Sequence, residues 1–359
     1  VSFPRAVVLG AGGEMGARVC RLVAQVERAV VIGVSRSARG PAGVAMERGD
    51  IGDAASIARL LRAGDLVVNC VGPFHYDPRP LVDACVAARA HYCDLADDVA
   101  FVEGVRASAR DAGARLAGVC VCPGASTVPG LVGVFAQALA RAPRADEITH
   151  VSTYLSVGSA NPVSASLLVS MLAPLGRAAA GASRAYSTLR GLRASDGRTL
   201  SFGSYPAAFE NARVTVGAVS APASFYFGFD RAPLVALLHL ASRLLARIPL
   251  RALPGIAAAL LPVARALGVF GTSRGVLALV GENALGEQIA RIELSATERG
   301  LDIPAAPPAW IAARLARDGT LPGGARELRE LAPLGDVLGW IRADAARSLH
   351  ASPPELLGA

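Results

Sequence analysis

The run Ala6-Val7-Val8-Leu9-Gly10-Ala11-Gly12-Gly13-Glu14-Met15-Gly16 decides the fold of the first third of the chain. Four apolar residues lead into a glycine-rich turn, after which Val19, Leu22, Val23 and Val26 recur at helical spacing. The pattern predicts a strand, a tight turn and a helix. Gly10 permits the turn, Gly13 lets backbone N–H groups approach a pyrophosphate, and Gly16 lets the helix pack closely on the strand. With Gly12, Glu14 and Met15 these residues form a candidate phosphate cradle in the spacing G-x-x-G-x-x-G, and a Rossmann dinucleotide-binding domain is the expectation.

Outward from that turn, a strand over 30–34 ends at Ser35-Arg36-Ser37-Ala38-Arg39. An acidic side chain at this point would accept bonds from a ribose 2′-hydroxyl and repel a 2′-phosphate. A guanidinium beside hydroxyls suits the phosphate instead, so Ser35, Arg36 and Ser37 are candidate cofactor contacts and NADP(H) is the expected cofactor. Further βα units follow: Asp50-Ile51 near a strand end, a helix over 54–61, the strand of Asp65-Leu66-Val67-Val68-Asn69, a helix over 79–89, a strand over 91–95, a helix over 99–112 and a strand over 118–122. Such alternation predicts an α/β fold, a doubly wound parallel sheet with helices on both faces. Ligands bind beyond the C-terminal strand ends of such sheets. Asp50, Cys70, Val71, Gly72, Pro73, Phe74 and Asp94 all fall there and are candidate cofactor contacts.

Composition narrows the chemistry. The chain has 359 residues, 52% of them hydrophobic, and a formal charge of +7 in which every basic residue is arginine. Arginine keeps its proton, so a catalytic proton must come from His, Tyr, Asp, Glu, Cys or water. The arginines form no basic run and no aromatic platform accompanies them, which argues against a nucleic-acid partner. Six cysteines are too sparse for a disulfide scaffold and read as buried thiols. The five histidines are scattered, so no metal is expected, and no G-x-S-x-G elbow supports hydrolase chemistry. The opening residues show no basic leader with an apolar run, and a cytoplasmic location is the expectation.

The motifs GAGGEMG, VVNCVGPFHYDPRPLVDAC, HYCDLADD and CPGASTVPGLVG, in this order over roughly the first 135 residues, resemble the saccharopine dehydrogenase-like reductases, including their trans-acting enoyl reductase branch. The resemblance implies that the stretch from Asn69 to Phe74 passes under the nicotinamide ribose. It also implies that the segment from Gly124 to Gly133 leads into the catalytic domain. Gly158-Ser159 with Ser166, and Leu321-Pro322-Gly323-Gly324, support it later in the chain. Departures cluster at the expected substrate edge. Asp77-Pro78 stands where relatives read Tyr-Gly, Ala96-Asp97 replaces Gly-Glu, and Ser126 and Leu131 replace aspartates.

From about residue 148 the pattern changes to alternating stretches at 148–157, 276–280 and 288–296, predicting a second, α+β domain with a mixed sheet. The expected division is a Rossmann domain over 1–125, a substrate and dimerisation domain over 126–322, and C-terminal helices over 323–359, at 325–331 and 337–349, returning to the Rossmann domain. Residues 234–266 are very apolar and nearly free of acidic side chains. Leu234, Leu237, Leu238, Ala241, Leu244, Leu245 and Ile248 would form one helical face, with His239, Arg243 and Arg247 on another. The next uncharged run, 252–264, falls short of the roughly 20 residues of a membrane span. A homodimer or core helix, a lid over a lipophilic substrate and a helix on an anionic membrane surface stay open.

The functional expectation is hydride transfer from NADPH to an activated C=C bond of a hydrophobic or carrier-bound intermediate, with His75 and Tyr76 as candidate catalytic residues beside the Gly-Pro turn. One alternative is imine reduction or reductive amination of an amino-acid-like substrate, for which Arg79, Arg184 and Arg213 are candidate carboxylate partners. Another is an NADP-binding scaffold or lipid-associated protein without turnover.

Overall fold

The computed structural model describes residues 4–177, 184–207, 209, 213–343 and 349–353. The chain divides into two compact units, Val1–Leu131 with Pro304–Pro333 and Val132–Ile303 with Leu334–Ala359. It therefore crosses back at 304 and leaves again at 334, where the sequence suggested one return at 323.

The first unit opens with β1 (Arg5–Leu9), α1 (Glu14–Val23), β2 (Val30–Ser35), β3 (Ala45–Arg48) and α2 (Ala54–Ala58). It continues with β4 (Leu66–Asn69), α3 (Arg79–Ala87), β5 (His91–Asp94), α4 (Val99–Ala112) and β6 (Cys120–Cys122). Apart from Arg5 at the start of β1 and Asn69 at the end of β4, the central strands β1 and β4 are built of Ala, Val and Leu and are buried almost throughout, as strands covered on both faces must be. Strands pair in parallel in the order β6-β5-β4-β1-β2-β3, Val8 lying opposite both Gly33 and Val68. That is the order of a doubly wound dinucleotide-binding sheet, and its winding reverses between β1 and β4.

The second unit contains α5 (Val132–Leu139), β7 (His150–Val157), α6 (Ala165–Leu172), β8 (Leu189–Arg193), β9 (Thr199–Tyr205), β10 (Arg213–Val216) and β11 (Val219–Phe229). It continues with α7 (Ala232–Leu245), α8 (Leu253–Gly268), β12 (Gly275–Glu282) and β13 (Gln288–Ala296). The chain then passes through α9 (Asp302–Ala305) into α10 (Pro307–Asp318), which packs on α1, and on to β14 (Gly324–Ala325) and α11 (Leu328–Leu331). It ends with α12 (Leu334–Ala343) and β15 (Leu349–Ser352) in the second unit.

The second sheet is mixed: β7 and β11 run parallel while β12, β13, β15, β9 and β8 pair antiparallel. The β8 end is drawn back toward the other side of the sheet, because Ser195, just after β8, donates its backbone N–H to Glu293 of β13 at 3.1 Å. The sheet thus curls around a core in which Tyr154 and Tyr226 stack at 5.0 Å.

Several local expectations are corrected. Gly324–Ala325 is not helical but pairs with β6 as a seventh parallel strand, and the following helix starts at Leu328, where Glu327 and Glu330 form a reciprocal capping box. The helix expected over 337–349 spans Leu334–Ala343, Leu349 opens β15, and residues 344–348 lie outside the described residues. The predicted single apolar face at 234–248 is split. Val235 and Ser242 are buried, whereas Leu237 and Leu244 face solvent. The helix after it is not limited to 252–264: with its first turn it runs Leu250–Gly268, 19 residues, through Pro262, long and apolar enough to cross a membrane by length and composition alone.

Candidate cofactor site

At the switch point between β1 and β4, each glycine of the turn meets a different constraint. Gly10 takes φ +80°, and its N–H and that of Ala11 both donate to Val34 O, at 2.9 and 3.1 Å, tying the turn to β2. A Cβ at Gly16 would lie 2.2 Å from Gly10 O, so only glycine lets α1 approach the turn this closely. A Cβ at Gly12 would lie 2.7 Å from Arg39 O. Gly12 and Gly13 are exposed, and Gly13 caps α1 without a side-chain hydrogen bond. The first-turn N–H groups of a ten-residue helix are therefore open to an anion, reinforced by the helix dipole. Glu14, an anion in that first turn, is paired with Arg18 at 2.8 Å, which offsets its repulsion. Met15 is half-buried beside it.

The loop after β2 closes on this turn. Ser35 Oγ donates to Arg39 O at 2.9 Å and accepts from Arg39 N–H at 3.1 Å, so its hydroxyl holds the loop instead of facing outward with Ser37. Arg36 and Ser37 are exposed, and Arg36 forms no ion pair among the described residues. Asp50 caps a turn before α2, accepting from Gly52 N–H at 3.0 Å.

On the other side of the switch point, the loop after β4 is organised by a residue the sequence reading passed over. Asn69, fully buried, lies with Nδ2 2.9 Å from the Tyr76 hydroxyl and 3.3 Å from that of Tyr92, while its Oδ1 accepts from Val71 N–H at 3.1 Å. The Tyr76 hydroxyl in turn donates to Val71 O at 3.1 Å. Cys70 N–H donates to Leu9 O at 3.0 Å, and a Cβ on Gly10 would meet Val71 Cγ2 at 3.0 Å. The loop carrying Cys70, Val71, Gly72, Pro73 and Phe74 thus lies directly against the glycine turn. Phe74 and Tyr76 both pack on Phe101 of α4, at 4.9 and 5.1 Å between ring centroids. Burial pushes the Tyr76 hydroxyl well above its ordinary pKa and likewise keeps the Cys70 thiol protonated, which removes its nucleophilicity. His75 is exposed on the same loop.

Asp94, at the end of β5, is fully buried. Its Oδ1 accepts from Ala96 N–H at 3.0 Å and Gly124 N–H at 2.9 Å, joining the loops after β5 and β6. Oδ2 has no hydrogen bond of standard geometry, the Tyr92 hydroxyl giving only a weaker favourable interaction. Burial raises the carboxyl to about 6 against the opposing pull of those N–H groups. Asp94 therefore acts here as a tie between loops. Gly124 is held at φ +63°, where a Cβ would strike Pro129 Cδ at 2.4 Å.

The sequence signal for Asn69 was available: a polar amide closing a Leu-Val-Val strand is buried at a cost unless it organises its surroundings. Phe101 carried no such signal, since an aromatic near a helix start reads as ordinary core. Of the candidate carboxylate partners, Arg79 is paired with Asp111 at 2.8 Å and Arg213 bonds Ser220 across its own hairpin.

Residues 6–120 match the family model described as the saccharopine dehydrogenase NADP binding domain. A protein of Arabidopsis thaliana, described as a probable mitochondrial saccharopine dehydrogenase-like oxidoreductase, is 30% identical over 102 residues, which cover 27% of this chain and 22% of that protein. This chain thus matches less than a quarter of the length of that relative. Among solved structures, the apo saccharopine dehydrogenase (L-Glu forming) of Saccharomyces cerevisiae aligns with TM-score 0.53 and 13% identity, covering 97% of this chain and 99% of the other. A homospermidine synthase of Legionella pneumophila in complex with NAD aligns with TM-score 0.52 and 13% identity, over 97% and 91%. At these identities the structural matches report the fold.

Proposed function

We propose that this chain, whose residues 6–120 match the saccharopine dehydrogenase NADP binding domain model, is an NADP(H)-dependent oxidoreductase that reduces an activated C=C bond of a hydrophobic or carrier-bound substrate. The observation that carries the cofactor half of this reading is the uncapped, glycine-lined N-terminus of α1 beside the exposed, unpaired Arg36. Two anion sites a short loop apart suit a pyrophosphate and a 2′-phosphate.

When bound, NADPH supplies the hydride. The chain supplies the geometry. The Gly12 N–H and those of the first turn of α1 would hold the pyrophosphate, the Gly13 N–H being spent on Gly10 O at 2.9 Å, and Arg36 with Ser37 would hold the 2′-phosphate. The loop at 70–74, fixed by Asn69 and Tyr76, flanks the nicotinamide ribose. Tyr76 is a positioning residue, because its hydroxyl already bonds Asn69 and Val71. His75, exposed on that loop, is the side chain that orients the substrate or delivers the proton.

The C=C reading is supported over C=N reduction of an amino acid by the engagement of Arg79 and Arg213 in local pairs, which leaves Arg184, exposed and without an ion pair among the described residues, as the one candidate still open for a substrate carboxylate. The test is NADPH oxidation by the purified chain with a chain-length series of enoyl thioesters, run beside 2-oxo acids with amines. Turnover of the thioesters is expected. Turnover of the second set alone would replace this reading with imine reduction, and tight NADPH binding without any turnover would favour the scaffold role.

A further inference from the structure

The second unit carries an apolar surface that its own core leaves uncovered. Helices α7 and α8 dock by one face each on the same core cluster, through Val235 of α7 and Leu253 and Ala257 of α8, all essentially fully buried. The opposite faces carry stripes at i, i+3, i+7 spacing: Leu237, Leu240 and Leu244 on α7, and Leu260, Val263 and Leu267 on α8. Leu240 is 70% exposed and Leu244 65%. Both stripes point away from the shared core, and isolated surface leucines do not recur with this period by chance packing.

Charge identifies what covers them. Residues 231–281 contain six arginines and no acidic residue, so this segment holds +6 of the chain's formal +7. Arg243 is exposed on α7 beside Leu244, Arg247 is exposed just past the end of that helix, and Arg251 sits in the 3-10 turn that leads into α8. None of the three forms an ion pair among the described residues. A twofold contact with a second copy would set this patch against itself, arginine facing arginine with no carboxylate in the segment to relieve it. Crossing a bilayer would require α8 to abandon the core contacts of Leu253 and Ala257. An anionic lipid surface satisfies both features: its headgroups pair with the arginines while the leucines enter the boundary of the acyl chains.

We infer that helices α7 and α8, docked on one core cluster, seat the protein on the surface of an anionic lipid membrane, with the helices in the plane of the interface. The inference rests on the second unit alone and stands independently of the reaction proposed above.

The experiment is flotation of the full chain with phosphatidylcholine vesicles, with and without phosphatidylglycerol, at low and high salt. Two variants run in parallel, Leu240→Ser with Val263→Ser and Arg243→Glu with Arg247→Glu, each checked for unchanged NADPH binding and unchanged thermal unfolding. The expected result is binding to phosphatidylglycerol vesicles only, weakened on the order of tenfold or more by either variant and by high salt, and released by alkaline carbonate. Three results overturn the inference. One is no binding of the parent chain to phosphatidylglycerol vesicles at low salt, and another is binding that both variants retain. The third is a wild-type dimer that the leucine variant dissociates without any lipid affinity, which assigns the face to a second copy.

Discussion

Asn69 holds Tyr76: the amide Nδ2 of the last residue of β4 lies 2.9 Å from the hydroxyl oxygen of a residue seven positions later, across the whole loop at 70–75. This one contact shapes the backbone that the glycine turn faces. Replacing Asn69 by Leu removes the bond to Val71 N–H and leaves two tyrosine hydroxyls short of a partner. The expected outcome is a loss of about 1–3 kcal/mol in unfolding free energy and a weaker NADPH affinity. Tyr76→Phe keeps the ring on Phe101 and loses only the hydroxyl. It should raise the KM for NADPH several-fold while kcat changes by less than about tenfold, whereas removal of a true proton donor lowers kcat by about 10²–10⁴. Steady-state kinetics of the two variants separates these roles.

Arg36→Ala should discriminate between the cofactors. The guanidinium is exposed and forms no ion pair among the described residues, so its removal should leave the fold intact and delete the proposed charge-assisted contact to a 2′-phosphate. NADPH affinity is expected to fall on the order of 10–100-fold, from about 1.5–3 kcal/mol, with NADH affinity unchanged. Equal loss for both nucleotides in a binding titration would sink the assignment of this residue.

Gly16→Ala tests the close approach of α1 to the turn. The added Cβ would sit 2.2 Å from Gly10 O, a backbone atom that cannot move without shifting β1 or the helix. The variant should lose at least about 2 kcal/mol of stability and most of its nucleotide binding. Gly133→Ala is the matching control, because a Cβ there meets nothing within 4 Å. Chemical denaturation of both variants reads the difference.

Asp94 gives a pH dependence with a definite sign. Its carboxyl is raised by burial from 3.8 to about 6, so between about pH 4 and 6 the unfolded chain releases this proton while the native chain keeps it. The native state then binds more protons than the unfolded one, and this residue makes stability fall as pH rises through that window. Above about pH 6 the penalty is fully present. Asp94→Asn keeps an acceptor for Ala96 and Gly124 and abolishes the charge. It should be more stable than the parent near pH 7.5, by up to about 3 kcal/mol, and the two should converge near pH 4. Denaturation midpoints measured across that range test both the sign and the window.

The first unit was largely legible because its strands are short apolar runs buried on both faces and its turns carry glycines whose geometry admits no other residue. Helix 99–112 and strand 288–296 match the sequence expectation to their ends: the helix buries Phe101, Val102, Val105, Ala109 and Ala112 at helical spacing, and the strand is a mostly buried run after the turn at Gly286. The strands β8 to β11 escaped notice. Leu189–Arg193 is almost wholly exposed, β9 is rich in serine and Pro222 interrupts β11, while β10 alternates between exposed and buried positions but is only 4 residues long.

Sequence alone determined the dinucleotide fold, because it rests on residues adjacent in the chain, and the absence of any lysine acid or base, because it is a matter of composition; it also supplied the expectation that Arg36 meets a 2′-phosphate. Tertiary structure alone decided what Asn69, Ser35, Asp94 and the leucines of α7 do. Asn69 meets Tyr92 and Asp94 meets Gly124 only through strand neighbours 23 and 30 residues away, and the Ser35 hydroxyl is claimed by a loop that must first fold back. On α7 both candidate faces are apolar. Which of them is buried is decided by where Val235 and Ser242 meet the core, a relation that helical periodicity cannot express.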